Sequence, residues 1–113
     1  GKNAEAMAAL EQLSSDEDAN EQMRDIATIK LASYKLDSDA SREEITDLLE
    51  PLTAEDSNWA NIAHELLAML AIREGDMEQA KAEYEKIVNS ANVQDSLKAR
   101  AQDMVTIISD QSK

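Results

Sequence analysis

Few residues in this chain can cross-link it, interrupt a helix or fill a large core. The 113 residues include no cysteine and no phenylalanine, one tryptophan, two tyrosines, one proline and two glycines. The lack of cysteine excludes disulfides, thiolate catalysis and zinc–thiolate sites. With so little proline and glycine, β-hairpin turns are scarce. A core of alanine, leucine, isoleucine and methionine suits close helix packing, so the composition predicts an all-α fold.

Basic residues and long apolar runs are also scarce. The chain has 11 basic and 24 acidic residues, which gives a net charge of −13. Residues 1–57 carry −10 and residues 58–113 carry −3. Such a surface repels nucleic acid and anionic membranes, so we expect neither as a partner. No stretch approaches 18 apolar residues, which predicts a soluble chain. The chain starts Gly1-Lys2 without methionine, so we expect any membrane segment to lie upstream of it.

Apolar residues recur with helical spacing along most of the chain. This periodicity predicts about six helices, at residues 4–13, 20–36, 41–49, 58–73, 76–89 and 95–108, with a frayed tail from Ser109. Pro51 should end the third helix. Ser41 with Glu44 forms a capping box for the third helix, and Ser57 and Asp95 are predicted caps of the fourth and last.

The turn between the fourth and fifth helices is the clearest local signal. Gly75 is the only glycine apart from residue 1. A left-handed residue just past a helix end favours glycine, so Gly75 is predicted to end the fourth helix. Asp76 then caps the fifth, and Gln79 is expected to complete a capping-box-like pair. Residues 73–77 therefore predict a tight helix–turn–helix.

The long helices also resemble one another. At an offset of 36 residues, Ala27 aligns with Ala63 and Ala32 with Ala68, and at an offset of 38, Ala63 aligns with Ala101. This spacing fits a helix pair with its turns. One such unit cannot bury its own apolar faces, so we expect the units to stack.

Residues 61–94 resemble a tetratricopeptide repeat (TPR), a family of 34-residue helix pairs. The residues that carry the resemblance are Leu67, Ala68, Gly75, Asp76, Ala80 and Tyr84. The sequence departs from the family at His64, Ala71 and Asn92, where tryptophan, tyrosine and proline are usual. The resemblance implies a short right-handed solenoid of antiparallel helix pairs in one domain over residues 1–113. Beside the central repeat, its degenerate units are residues 3–13 (partial), 20–57 and 95–110.

A narrower resemblance covers most of the chain. The segments that carry it are Asn58-Trp59, residues 63–67, residues 74–76, Ala80 and Arg100-Ala101. They are similar to the TPR-like domain of small membrane-anchored bacterial proteins, a family that includes the ancillary subunit of the Sec translocon. The resemblance implies a place on the periplasmic side of the inner membrane, behind an N-terminal membrane helix. It also implies the translocon or periplasmic chaperones as partners.

The TPR alignment also points to a binding surface. With Asn61 as the first repeat position, Ile62, Glu65, Met69 and Ile72 fall where TPR helices line a concave face. Isoleucine and methionine there suit an apolar segment, since methionine adapts to varied shapes. The central helix contributes Glu65 and no basic residue to this face, which argues against a partner that binds through an acidic tail. We expect a partner segment that is apolar and flanked by basic residues. Alternatively, the chain's own terminal helices fill the face.

No residue set suggests catalysis, a metal or a cofactor. The single histidine, His64, has no second imidazole near it in sequence, so we interpret it as structural or surface-exposed. Trp59 is either a core residue or an exposed anchor. A protein-interaction adaptor is the preferred function, and the alternative is a self-associating helical-repeat module with no separate peptide ligand. Concentration-dependent sedimentation would separate the two, and an enzyme is disfavoured.

Overall fold

The protein is all-α, as predicted. A computed structural model describes residues 2–111, with the side chains of residues 4–111, and contains six α-helices and no strand in that range. The helices are α1 (Lys2–Ser14), α2 (Glu21–Leu36), α3 (Arg42–Leu49), α4 (Ala60–Arg73), α5 (Met77–Val88) and α6 (Asp95–Gln111). Within the described range, no helix combines the length and apolar character needed to cross a membrane.

Three of the predicted helix starts were wrong by one or two residues. α1 begins at Lys2, two residues before the predicted start. α4 begins at Ala60, and the Ser57 hydroxyl accepts a hydrogen bond from the Trp59 N–H at 3.1 Å. Ser57 therefore caps the turn before α4, because its side chain reaches only two residues along the chain. Asp95 is the first residue of α6 and not its cap. Pro51 lies in a 3-10 turn, Glu50–Thr53, which follows α3 directly.

The turn after α4 has the predicted left-handed glycine. Gly75 has φ +79°, its N–H donates to the Ile72 carbonyl at 3.0 Å, and the Asp76 N–H donates to the Ala71 carbonyl at 2.8 Å. These two bonds form a Schellman motif, which satisfies carbonyls at the end of α4. Asp76 caps α5 by accepting from the Gln79 N–H at 3.1 Å. The predicted reciprocal bond was wrong, because the Asp76 N–H that it would use donates to the Ala71 carbonyl. The Gln79 amide donates to Glu83 at 3.0 Å.

Replacing Gly75 by alanine should lower the free energy of unfolding by about 1–2 kcal/mol, the strain of a left-handed L-residue. Apart from the two neighbouring residues, no atom lies within 4 Å of where the added Cβ would stand, so the cost comes from backbone strain and not from a clash. Urea unfolding followed by circular dichroism measures it. Gly75→Asn is the matched control and should cost less, since asparagine tolerates this conformation. A stabilising Gly75→Ala would contradict the left-handed turn.

The chain forms two compact units, Gly1–Leu52 and Thr53–Lys113. In the first unit, α2 packs against both α1 and α3. Lys35 on α2 links all three helices, with its Nζ 2.8 Å from Glu44 on α3 and 3.4 Å from Glu11 on α1. The hydrogen bond from Lys35 to Glu44 is the main reason that the pKa of Lys35 is raised. The predicted single domain, and its solenoid arrangement, stay predictions.

In the second unit, α5 packs against both α4 and α6. The connection of α4 to α5 is three residues long, so the two helices run in opposite directions. Two side-chain contacts fit this antiparallel arrangement: Asn61 donates to Ser90 at 3.2 Å, and His64 lies 2.7 Å from Glu83. Alanines make up half of the main buried cluster of this unit, which contains Ala68, Ala71, Ala80, Tyr84, Ile87, Leu97, Ala101 and Ile108.

Candidate functional site

One side of α4 exposes large apolar side chains. Ile62 is 38% exposed and Met69 is 44% exposed. They are seven positions apart, and Glu65 lies between them, so all three share one face of the helix. Ile72, predicted beside them, is half-buried and packs against the core of the second unit. The exposed apolar part of the predicted set is therefore Ile62 and Met69.

Helix α6 brings a basic residue to this face. The guanidinium of Arg100 donates to both carboxylate oxygens of Glu65, from Nη2 at 3.1 and 3.2 Å and from Nε at 3.3 Å. Ile107 lies seven positions after Arg100, on the same side of α6, and is 48% exposed. The ion pair shows that these faces of α4 and α6 lie next to each other. We call the surface of Ile62, Glu65, Met69, Arg100 and Ile107 the α4–α6 face.

The sequence analysis missed both α6 residues of this face. The sequence analysis noted that α4 itself has no basic residue beside Glu65. The basic residue is Arg100 on α6, which lies 35 residues further along the chain. No local pattern in the sequence indicated the contact, because it depends on how α6 packs beside α4. The pairing shows that α6 supplies part of the surface predicted from α4 alone.

His64 makes a buried contact between helices. Its Nδ1 is 2.7 Å from Oε2 of Glu83 on α5, and the two side chains are 14% and 7% exposed. An ionised carboxylate only accepts, so the Nδ1–H of His64 donates. Oε1 of Glu83 accepts from Gln79 and lies 3.5 Å from the ammonium of Lys86. His64 and Glu65, adjacent in sequence, therefore tie α4 to α5 and α6 respectively.

The surroundings of Glu83 keep its carboxylate ionised. Burial alone would raise its pKa, but the hydrogen bond from His64, the positive charge of Lys86 and the bond from Gln79 outweigh burial, and the pKa lies below its ordinary 4.5. A carboxyl with a lowered folded-state pKa stabilises the fold above its unfolded pKa. That contribution is lost as the pH falls through the folded value.

The remaining predicted repeat positions lie mostly inside the second unit. Ala68 and Ala80 are fully buried, Tyr84 is 5% exposed and Leu67 is half-buried. Burial raises the pKa of Tyr84, the charge of Glu65 raises it further, and Arg100 opposes both. Trp59 is half-buried at the start of α4. These residues are therefore involved in packing between helices and do not belong to the exposed α4–α6 face.

No arrangement of three or more histidine and acidic residues that could hold a metal occurs in residues 2–111. The α4–α6 face combines exposed apolar side chains with a surface ion pair, a combination that suits contact with another macromolecule. Comparison of the chain with protein-family models, with curated proteins and with solved structures finds no match.

Proposed function

We propose that the chain is a non-catalytic helical-repeat adaptor that binds an apolar segment of another protein on its α4–α6 face. The observation that carries the proposal is the exposure of Ile62, Met69 and Ile107, each between 38% and 48%, on adjoining faces of two helices. Exposed apolar side chains grouped on one surface are typical of interaction sites. Methionine within the group adapts to varied side chains.

The charge of the chain favours one kind of segment. A net charge of −13 attracts basic residues over long range, so the partner segment is apolar and flanked by lysine or arginine. The same charge opposes pairing of two copies, which makes self-association the weaker alternative. The Sec-translocon resemblance supports a finer version of the proposal. In it, the chain is part of a membrane-anchored TPR-like solenoid in the bacterial periplasm, and the partner is the translocon or a chaperone.

A synthetic peptide can serve as the probe. Ile62 and Met69 lie about 10.5 Å apart along α4, at 1.5 Å per residue, which matches leucines seven positions apart on a partner helix. The probe peptide is a labelled amphipathic helix with leucines at i, i+3 and i+7, one arginine among them and lysines at both ends. Its binding is measured by fluorescence anisotropy.

We expect Met69→Glu to reduce binding of the probe peptide at least about tenfold, because it places a charge in the apolar contact. Gln102→Glu, which adds the same charge at an exposed position on another side of α6, is the matched control and should bind like the wild type. Added sodium chloride should weaken wild-type binding without abolishing it, since only the charged part is screened.

Two results would contradict the proposal. One is a wild-type protein that does not bind the probe peptide, or binds it no better than Met69→Glu does. The other is loss of the cooperative thermal melt in Met69→Glu, which would place Met69 in the core. Analytical ultracentrifugation over a range of concentrations tests the alternative, because a self-associating module would sediment faster as concentration rises.

A further inference from the structure

Glu65 and Arg100 depend unequally on the ion pair between them. The side chain of Glu65 is 24% exposed, whereas that of Arg100 is 60% exposed. A carboxylate that is mostly out of water is destabilised when it loses its cation. An exposed guanidinium, in contrast, is hydrated when it leaves. Glu65 therefore needs a cation beside it, and Arg100 does not need Glu65.

We propose that Arg100 occupies the position of an arginine from a partner protein. On binding, the partner's arginine forms the ion pair with Glu65, and Arg100 moves into solvent. The inference rests on the proposed function and deepens it by naming the contact that selects the partner. Glu65 lies between Ile62 and Met69 along α4, so the incoming cation is bordered by apolar side chains on both sides. The partner is thus an apolar segment with an arginine inside it.

The geometry at Glu65 favours arginine over lysine. Both carboxylate oxygens accept from a guanidinium that approaches through Nε and Nη2. A planar guanidinium reproduces this two-point contact, whereas a lysine ammonium acts as a single point of charge. Because one arginine replaces another, the number of hydrogen bonds to Glu65 is conserved and the apolar contacts drive the exchange.

The experiment compares two peptides on four proteins. The peptides are the probe peptide and a version in which its internal arginine is glutamine. The proteins are the wild type, Arg100→Gln, Glu65→Gln and the control Lys98→Gln, which removes one positive charge from an exposed position elsewhere on α6. We expect Arg100→Gln to bind the arginine peptide about threefold more tightly than Lys98→Gln does, because the internal competitor is gone.

Glu65→Gln should bind the two peptides with equal affinity, whereas the wild type should prefer the arginine peptide. The comparison of Glu65→Gln with the wild type still tests the inference if circular dichroism shows that Arg100→Gln loses helical structure in α6. The exchange is overturned if Arg100→Gln binds the arginine peptide more weakly than Lys98→Gln or equally, or if Glu65→Gln keeps the preference. Wild-type protein that binds neither peptide would overturn the proposed function itself.

Discussion

Replacing His64 by leucine should lower the free energy of unfolding by about 3 kcal/mol, because it leaves the buried carboxylate of Glu83 without its closest partner. The Glu83 side chain is only 7% exposed, and the bond from His64 is the shortest of its contacts at 2.7 Å. Gln79 and Lys86 retain their contacts with Glu83, which keeps the loss at the lower end for a broken buried pair. Urea unfolding followed by the fluorescence of Trp59 measures it.

The double variant His64→Leu/Glu83→Met is the control. Apolar residues of similar size often replace a buried ion pair without loss, so the double variant should recover most of the stability. The difference between wild type and His64→Leu should also shrink as the pH falls from the ordinary carboxyl value of 4.5 through the lowered folded-state pKa of Glu83, because protonation then removes the buried charge. A single variant as stable as the wild type at neutral pH would show that His64 does not support Glu83.

Replacing Ala80 by leucine is expected to cost about 1–3 kcal/mol, because the added isopropyl group overpacks the contact between α4 and α5. Ala80 is fully buried in a cluster with Ala68 and Ala71, whose small side chains let the two helices approach closely. The urea midpoint should fall while the m-value stays constant.

Glu85→Leu is the matched control for Ala80→Leu. It places the same side chain on an exposed position of α5 and should leave the urea midpoint nearly unchanged. If both variants unfold at the wild-type midpoint, position 80 does not face α4. The alignment of Ala80 with the small residue of the second TPR helix would then be wrong.

Local signals in the sequence predicted the helices and their turn. Apolar periodicity located all six helices of the described range. The left-handed Gly75 and the Asp76 cap followed from residue chemistry that acts within a single turn. The start of α4 was missed because Ser57 has two competing uses, as a helix cap and as the cap of a short turn.

The contacts between helices were harder to predict because they depend on packing. Glu83 nevertheless carried a usable signal, since it lies at the same helical spacing as Ala80, Tyr84 and Ile87 and interrupts their apolar stripe. An acid at such a position indicates a buried partner, and His64 is that partner. The Glu65–Arg100 contact could not be predicted, because it depends on how α6 packs beside α4 across 35 residues of chain.

The Gly75 turn also bears on how quickly the second unit can fold. α4 and α5 meet through contacts close in sequence: His64 and Glu83 are 19 residues apart, and Asn61 and Ser90 are 29 apart. Helices joined by such local contacts close small loops, which carry a low entropic barrier. The hairpin can therefore assemble outward from the turn, with the Schellman bonds forming first. The contact of α6 with α4 spans 35 residues, the longest of these separations, so we expect it to form last.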